Sequence, residues 1–171
     1  MQWVLLALVV AFFGVIEFRL LRDRVRLAPV RSAVRNETVV YRTPISAQWD
    51  RGWRGRGNAK GMRLVVRLSS FELSYPFPGG TLLSTEWYCW GKDARMKMGQ
   101  GNFLPPWVKR DCIVLSIPSI DSANEVQEIL LSSTPPFRHD LTTAWDALVA
   151  CGVQATGDLP RKAADWRTTV A

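Results

Sequence analysis

The start of the chain constrains it most. Trp3 to Ile16 (WVLLALVVAFFGVI) carries no charge, and the apolar run continues through Glu17-Phe18-Arg19-Leu20-Leu21 before a series of arginines begins. As a helix, fourteen residues cover about 21 Å and nineteen about 28 Å. The longer count, Trp3–Leu21, crosses a hydrocarbon core of roughly 30 Å if Glu17 and Arg19 sit at the boundary and reach toward water. Trp3 suits an interfacial anchor at the other end. Two other readings compete, a soluble core helix and a cleaved signal peptide. An uncharged 14-mer beside a basic run is rare in soluble proteins. A signal peptide would want a basic n-region, which Met1-Gln2 lacks, and the nearest small-residue exit, Arg26-Leu27-Ala28, has arginine where a small residue belongs. The expectation is a retained single-pass transmembrane helix over residues 1–21.

Charge gives its direction. Nothing basic precedes the run, whereas Arg19, Arg22, Arg24, Arg26, Arg31 and Arg35 follow it. The positive-inside rule then puts the N-terminus outside and all that follows in the cytoplasm, at the cell membrane. Residues 22–36 read as a basic juxtamembrane linker. Arg19 at the end of the span and Arg22, Arg24 and Arg26 in the linker either serve as topology signals alone or also lie on anionic headgroups, each then worth on the order of 1 kcal/mol. The formal charge of +7 is concentrated here. Residues 19–60 carry eleven basic against three acidic groups, and residues 61–171 carry eleven of each. The zero balance of the larger part argues against nucleic acid, which needs a broad basic face. Three isolated cysteines in apolar surroundings, Cys89, Cys112 and Cys151, read as buried free thiols.

Beyond residue 36 the pattern is that of strands. Residues 37–43 (ETVVYRT) are β-branched and aromatic. Met62, Leu64, Val66 and Leu68 alternate with Arg63, Val65 and Arg67, and 71–75 alternates again, so 62–75 reads as a hairpin. Further strands are expected at 82–90, 94–98 and 112–117, the last an uninterrupted apolar run. Residues 125–133 suit either a strand or a helix behind a capping box at Ser122–Glu125, with the strand favoured. Asp140–Cys151 is an amphipathic helix, with Leu141, Trp145 and Leu148 on one side and Gly152 as its stop. The expected organisation is a β domain over 37–153 and a flexible tail over 154–171. One C-terminal helix would cover the open end of a seven-stranded sheet or barrel.

That element order, with Trp145 in mid-helix, resembles the pleckstrin-homology-like superfold. It is similar in particular to single-pass membrane proteins of high-GC actinobacteria that carry such a domain behind an N-terminal helix; seventeen Arg to five Lys suits a GC-rich genome. The resemblance implies a mainly β fold, a PH-like seven-stranded barrel or sandwich capped by one helix, with headgroup contacts in the loop joining the first two strands.

Catalytic patterns are thin. His139 is the single histidine, beside Asp140 at the helix entry. No C-x-x-C or H-x-x-x-H spacing offers a metal site, and no metal or cofactor is expected. Gly52–Asn58 lacks the Lys-Ser/Thr ending of a phosphate loop, and Lys60 stands where G-x-G-x-x-G would need its last glycine. The stretch Trp49–Gly61 (WDRGWRGRGNAKG) instead interleaves Arg51, Arg54, Arg56 and Lys60 with Trp49 and Trp53 on a glycine-loosened loop, a composition suited to phosphate oxygens at an interface. The loop Gly99–Lys109 runs into Arg110, and its Phe103, Trp107, Lys109 and Arg110 suit an interfacial or partner contact. The expected function is a non-catalytic, membrane-anchored binding or scaffolding module that contacts anionic lipid or a protein partner. The alternatives are an enzyme of unfamiliar type using Cys112 or His139, and an extracytoplasmic domain.

Overall fold

The computed structural model describes residues 2–50, 56–75, 86–103, 108–119, 125–133 and 141–157. The chain opens as one helix, α1 (Gln2–Arg35), 34 residues and about 51 Å long. The stretch expected as a linker over 22–36 is therefore the second half of this helix. Arg, Leu and Ala lose little on entering a helix, and Pro29 costs one backbone bond without ending it. The last turn closes through Asn36 N–H to the Ser32 carbonyl at 3.1 Å and Glu37 N–H to that of Val34 at 3.2 Å. In the first half, Trp3, Leu5, Leu8, Val10, Phe12 and Phe18 are exposed, Trp3 by 81%. Among the described residues, no helix is long and apolar enough to cross a membrane.

Seven strands follow: β1 (Val39–Asp50), β2 (Arg56–Arg67), β3 (Ser70–Ser74), β4 (Glu86–Trp90), β5 (Arg95–Phe103), β6 (Val108–Pro118) and β7 (Val126–Ser132). Helix α2 (Leu141–Ala150) and a two-residue β8 (Gln154–Ala155) complete the described chain. The fold is mainly β, and the strands come in the order expected from the sequence. Residues 125–133 form a strand; 82–85 of the expected fourth strand lie outside the described residues.

All eight strands share one sheet, ordered β4-β3-β2-β1-β7-β6-β5-β8. Its seam is β1, which pairs antiparallel with β2 along one edge and with β7 along the other through Ser46–Trp49. The register slips at the seam: Ile45 faces Met62 and Ala47 faces Ala59, so Lys60 and Gly61 oppose Ser46. Gly61 sits at φ +72, the left-handed residue that such a bulge requires. This extra residue bends the sheet around its main core, in which Phe71, Trp87, Met96, Leu115 and Ile129 meet Trp145 and Leu148 of α2. Fully burying a large apolar side chain contributes about 1.5–3 kcal/mol, so this cluster dominates stability.

Two details of the sequence reading change. Leu68, placed on the core face with Met62, Leu64 and Val66, lies in the β2–β3 turn and is 64% exposed. The first residues of the expected loose tail are ordered, and 158–171 lie outside the described residues. Gly152, at φ +99, ends α2 with Val153 N–H bonded to the Leu148 carbonyl. The chain then pairs parallel with β5 through Arg95–Gln154 and Met96–Ala155.

Candidate functional site

The basic stretch expected as a loop is mostly a ribbon. β1 continues to Asp50 and β2 begins at Arg56, with Trp49 facing Gly57 and Asp50 facing Arg56. Gly57 is not there for phosphate: a Cβ at this position would overlap the Trp49 indole, so the glycine makes room for an aromatic ring across the strands. That ring meets Trp87 edge to face, with centroids 5.3 Å apart. Lys60 is exposed at the bulge, and Arg56 is placed on β2. Arg51, Trp53 and Arg54 lie outside the described residues.

The second expected contact segment is also strand on either side of residues 104–107. Phe103 is a correction. Rather than being offered to lipid or a partner, it is fully buried, packed in a small cluster with Cys112 and Val114 beside Leu130. Gly101 makes this possible, since a Cβ there would crowd Leu130 and the Phe103 ring. Lys109 is exposed, Arg110 is half-buried and donates to the Ser133 carbonyl at 3.4 Å, and Trp107 lies outside the described residues. Among the described residues the two basic segments are not adjacent, since β1 and β7 lie between β2 and β6. One rung of the sheet runs Gly57–Trp49–Ile129–Leu115–Met96. Lys109 and Arg110 pair with Asn102 and Gly101, five or six residues from Met96 along β5, roughly 17–20 Å.

A charged cluster that the sequence reading missed joins α1 to the sheet. Glu72, on the outer face of β3, accepts from Arg35 Nη2 at 3.0 Å and from Arg67 Nη2 at 3.0 Å. The Arg35 guanidinium also lies 5.5 Å from the centre of the Tyr88 ring. Tyr88 donates to Glu86 at 2.8 Å, and Arg31 approaches Glu86 at 3.7 Å. Glu37, just past the helix, accepts from the Ser69 hydroxyl and backbone N–H and from the Ser70 hydroxyl at 2.6 Å. Val34 is wholly buried at the same contact. Burial pushes the Glu72 carboxyl up, but the hydrogen bonds and charges of Arg35 and Arg67 outweigh it and hold the group below its ordinary value. In return, the Glu72 hydrogen bond raises Arg35. The signal for this cluster is a single acid in an otherwise strongly alternating apolar strand, Phe71-Glu72-Leu73.

Thiol chemistry finds no support in the geometry. All three cysteines are free and buried. Burial pushes Cys112 and Cys151 up to about 11 and Cys89 up to about 12, so each is a neutral thiol at pH 7. Cys89 and Cys151 donate to the carbonyls of Trp90 and Leu148. His139 lies outside the described residues. Among the described residues, no group of three or more His, Cys, Asp or Glu could hold a metal ion. A half-open cavity of about 380 Å³ is lined by Ser69, Trp90, Lys92, Cys151 and Gly152, at the end of the sheet where α2 stops. Compared with known proteins, the chain matches no family model and none of the curated proteins.

Proposed function

We propose that the protein is a single-pass membrane protein, N-terminus outside, whose PH-like β domain serves on the cytoplasmic side as a non-catalytic binding or scaffolding module. The observation that carries this reading is the continuity of α1. One helix runs from Gln2 to Arg35, with exposed apolar side chains in its first half and ion pairs to the β domain in its last turns. The span itself rests on the sequence Trp3–Leu21 taken whole. Support for the PH-like assignment comes from the strand order, with β1 between β2 and β7, and from α2 seating Trp145 in the core.

In this reading the arginines that follow the span meet anionic headgroups. The sequence between β1 and β2 adds Arg51 and Arg54, with Trp53 between them, beside Arg56 of β2, and Trp107, Lys109 and Arg110 remain for a protein partner. A tethered domain needs only weak contacts, because anchoring raises its effective concentration at the surface. The test uses the full chain with a cysteine introduced at Leu68, since the native thiols are buried. In intact cells, an impermeant maleimide should leave that cysteine unlabelled until the cells are opened. Labelling without permeabilisation overturns the topology. Carbonate-resistant retention in the membrane fraction is expected, and release by carbonate overturns the anchor.

A further inference from the structure

The ionic contacts of α1 fix the direction in which the helix leaves the sheet. Arg31 pairs with Glu86, and four residues later Arg35 pairs with Glu72 and covers Tyr88. Four helical residues advance about 6 Å and two strand residues about 6.6 Å, so α1 and β4 run side by side in the same sense. Traced backward from Arg31, the helix departs past Glu86, at the end of the sheet where Glu86 pairs with Ser74 and Ser74 with Arg63. The β1–β2 ribbon projects beyond that rung, Arg56 being seven residues further along β2, about 23 Å of strand. Arg22 is nine residues back from Arg31, about 14 Å of helix. At the opposite end stand the Leu68–Ser69 turn, Trp90 and the cavity beside Cys151.

The fastening depends on one carboxylate. Arg67 is 6% exposed, its Nη2 bonds Glu72, and its Nε and Nη1 have no acceptor among the described residues. Arg35 brings the second guanidinium from the helix. Both faces of β3 are buried, the outer one beneath this junction. A flexible tether would leave Glu72 and Arg67 open to water.

We infer that α1 is a rigid spar clamped to β3 and β4 by Arg35–Glu72–Arg67, and that this clamp sets how the domain stands on the bilayer: the β1–β2 ribbon toward the lipid, the Leu68–Trp90 end away from it. The orientation rests on the membrane-anchored reading above; the clamp does not. The experiment uses the full chain in vesicles of phosphatidylcholine and phosphatidylglycerol, with a nitroxide on Lys60→Cys or Leu68→Cys. These positions are eight residues apart on β2 and its turn, about 26 Å. A headgroup-anchored nickel chelate should relax the label at 60 several-fold more than at 68. In Arg35→Ala and Glu72→Gln backgrounds the two should converge. Equal relaxation at 60 and 68 in the parent, or an unchanged contrast in the clamp variants, overturns the proposal. Arg35→Ala keeps the test decisive if Glu72→Gln fails to fold. If flotation shows no insertion, the anchor and the orientation fall together. Amide exchange over 30–37, expected to quicken roughly tenfold in Arg35→Ala while the strands keep their protection, then decides the clamp alone.

Discussion

The two helices meet the same sheet by different physics. Helix α2 puts Ala144, Trp145 and Leu148 into the core, followed by Cys151 and Val153, and so closes over one face of the sheet's apolar cluster. Among the described residues, helix α1 buries Val34 and is held through the ion pairs of Arg31 and Arg35 with Glu86 and Glu72. One helix completes the fold and the other is docked on a surface that the fold has already made. The lesson is that α1 is conditional on charge, whereas α2 is not.

Substitutions grade this contrast. Trp145→Ala should be the most damaging, losing about 3–5 kcal/mol in a denaturant titration because it removes the largest side chain α2 gives the core. Glu72→Gln comes next, at about 2–3 kcal/mol, since Arg67 is left buried without a counter-charge while the amide oxygen still accepts one hydrogen bond. Proton exchange over the α1 junction should register this loss first.

Acid should separate the helices without any mutation. Glu72 faces Arg35 and Arg67, with Tyr88, Glu86 and Glu37 close by, and its folded pKa lies below the ordinary 4.5. A carboxyl depressed on folding contributes fully above its unfolded value and loses that contribution as pH falls through the folded one. Arg35 stays charged throughout, its own value being raised. Contacts of α1 should therefore hold at neutral pH and loosen below about pH 4 while α2 remains packed; indole fluorescence from the core, compared with exchange over 30–37, checks this. Smallest are the exposed cations. Arg35→Ala, at a side chain 41% exposed, should cost about 1 kcal/mol, and Arg31→Ala, with its 3.7 Å contact, less than about 0.5 kcal/mol. Equal effects of these two would show that Glu72 is not the centre of the junction.

Much of the sheet was legible because its strands advertise themselves: Met62, Leu64 and Val66 alternate with Arg63, Val65 and Arg67, and Cys112–Ile117 is uninterrupted. What misled was glycine. Gly57 and Gly101 looked like loop residues, yet each sits in a strand beneath an aromatic ring, Trp49 in one case and Phe103 in the other. A missing side chain reads as freedom in one dimension and as accommodation in three. The same error turned Phe103 into a surface residue. Arg35, Arg67 and Glu72 were hidden for another reason. They come from three elements, and nothing in local periodicity tells an arginine that caps a helix which carboxylate it will find across a sheet.

The short β8 carries a consequence of its own. Pairing at Arg95 and Met96 hides the first rungs of β5, and Lys97 stands next along that border. An open ladder of unpaired N–H and C=O groups on a sheet border is a template for pairing with another chain. Two residues of chain blunt that border.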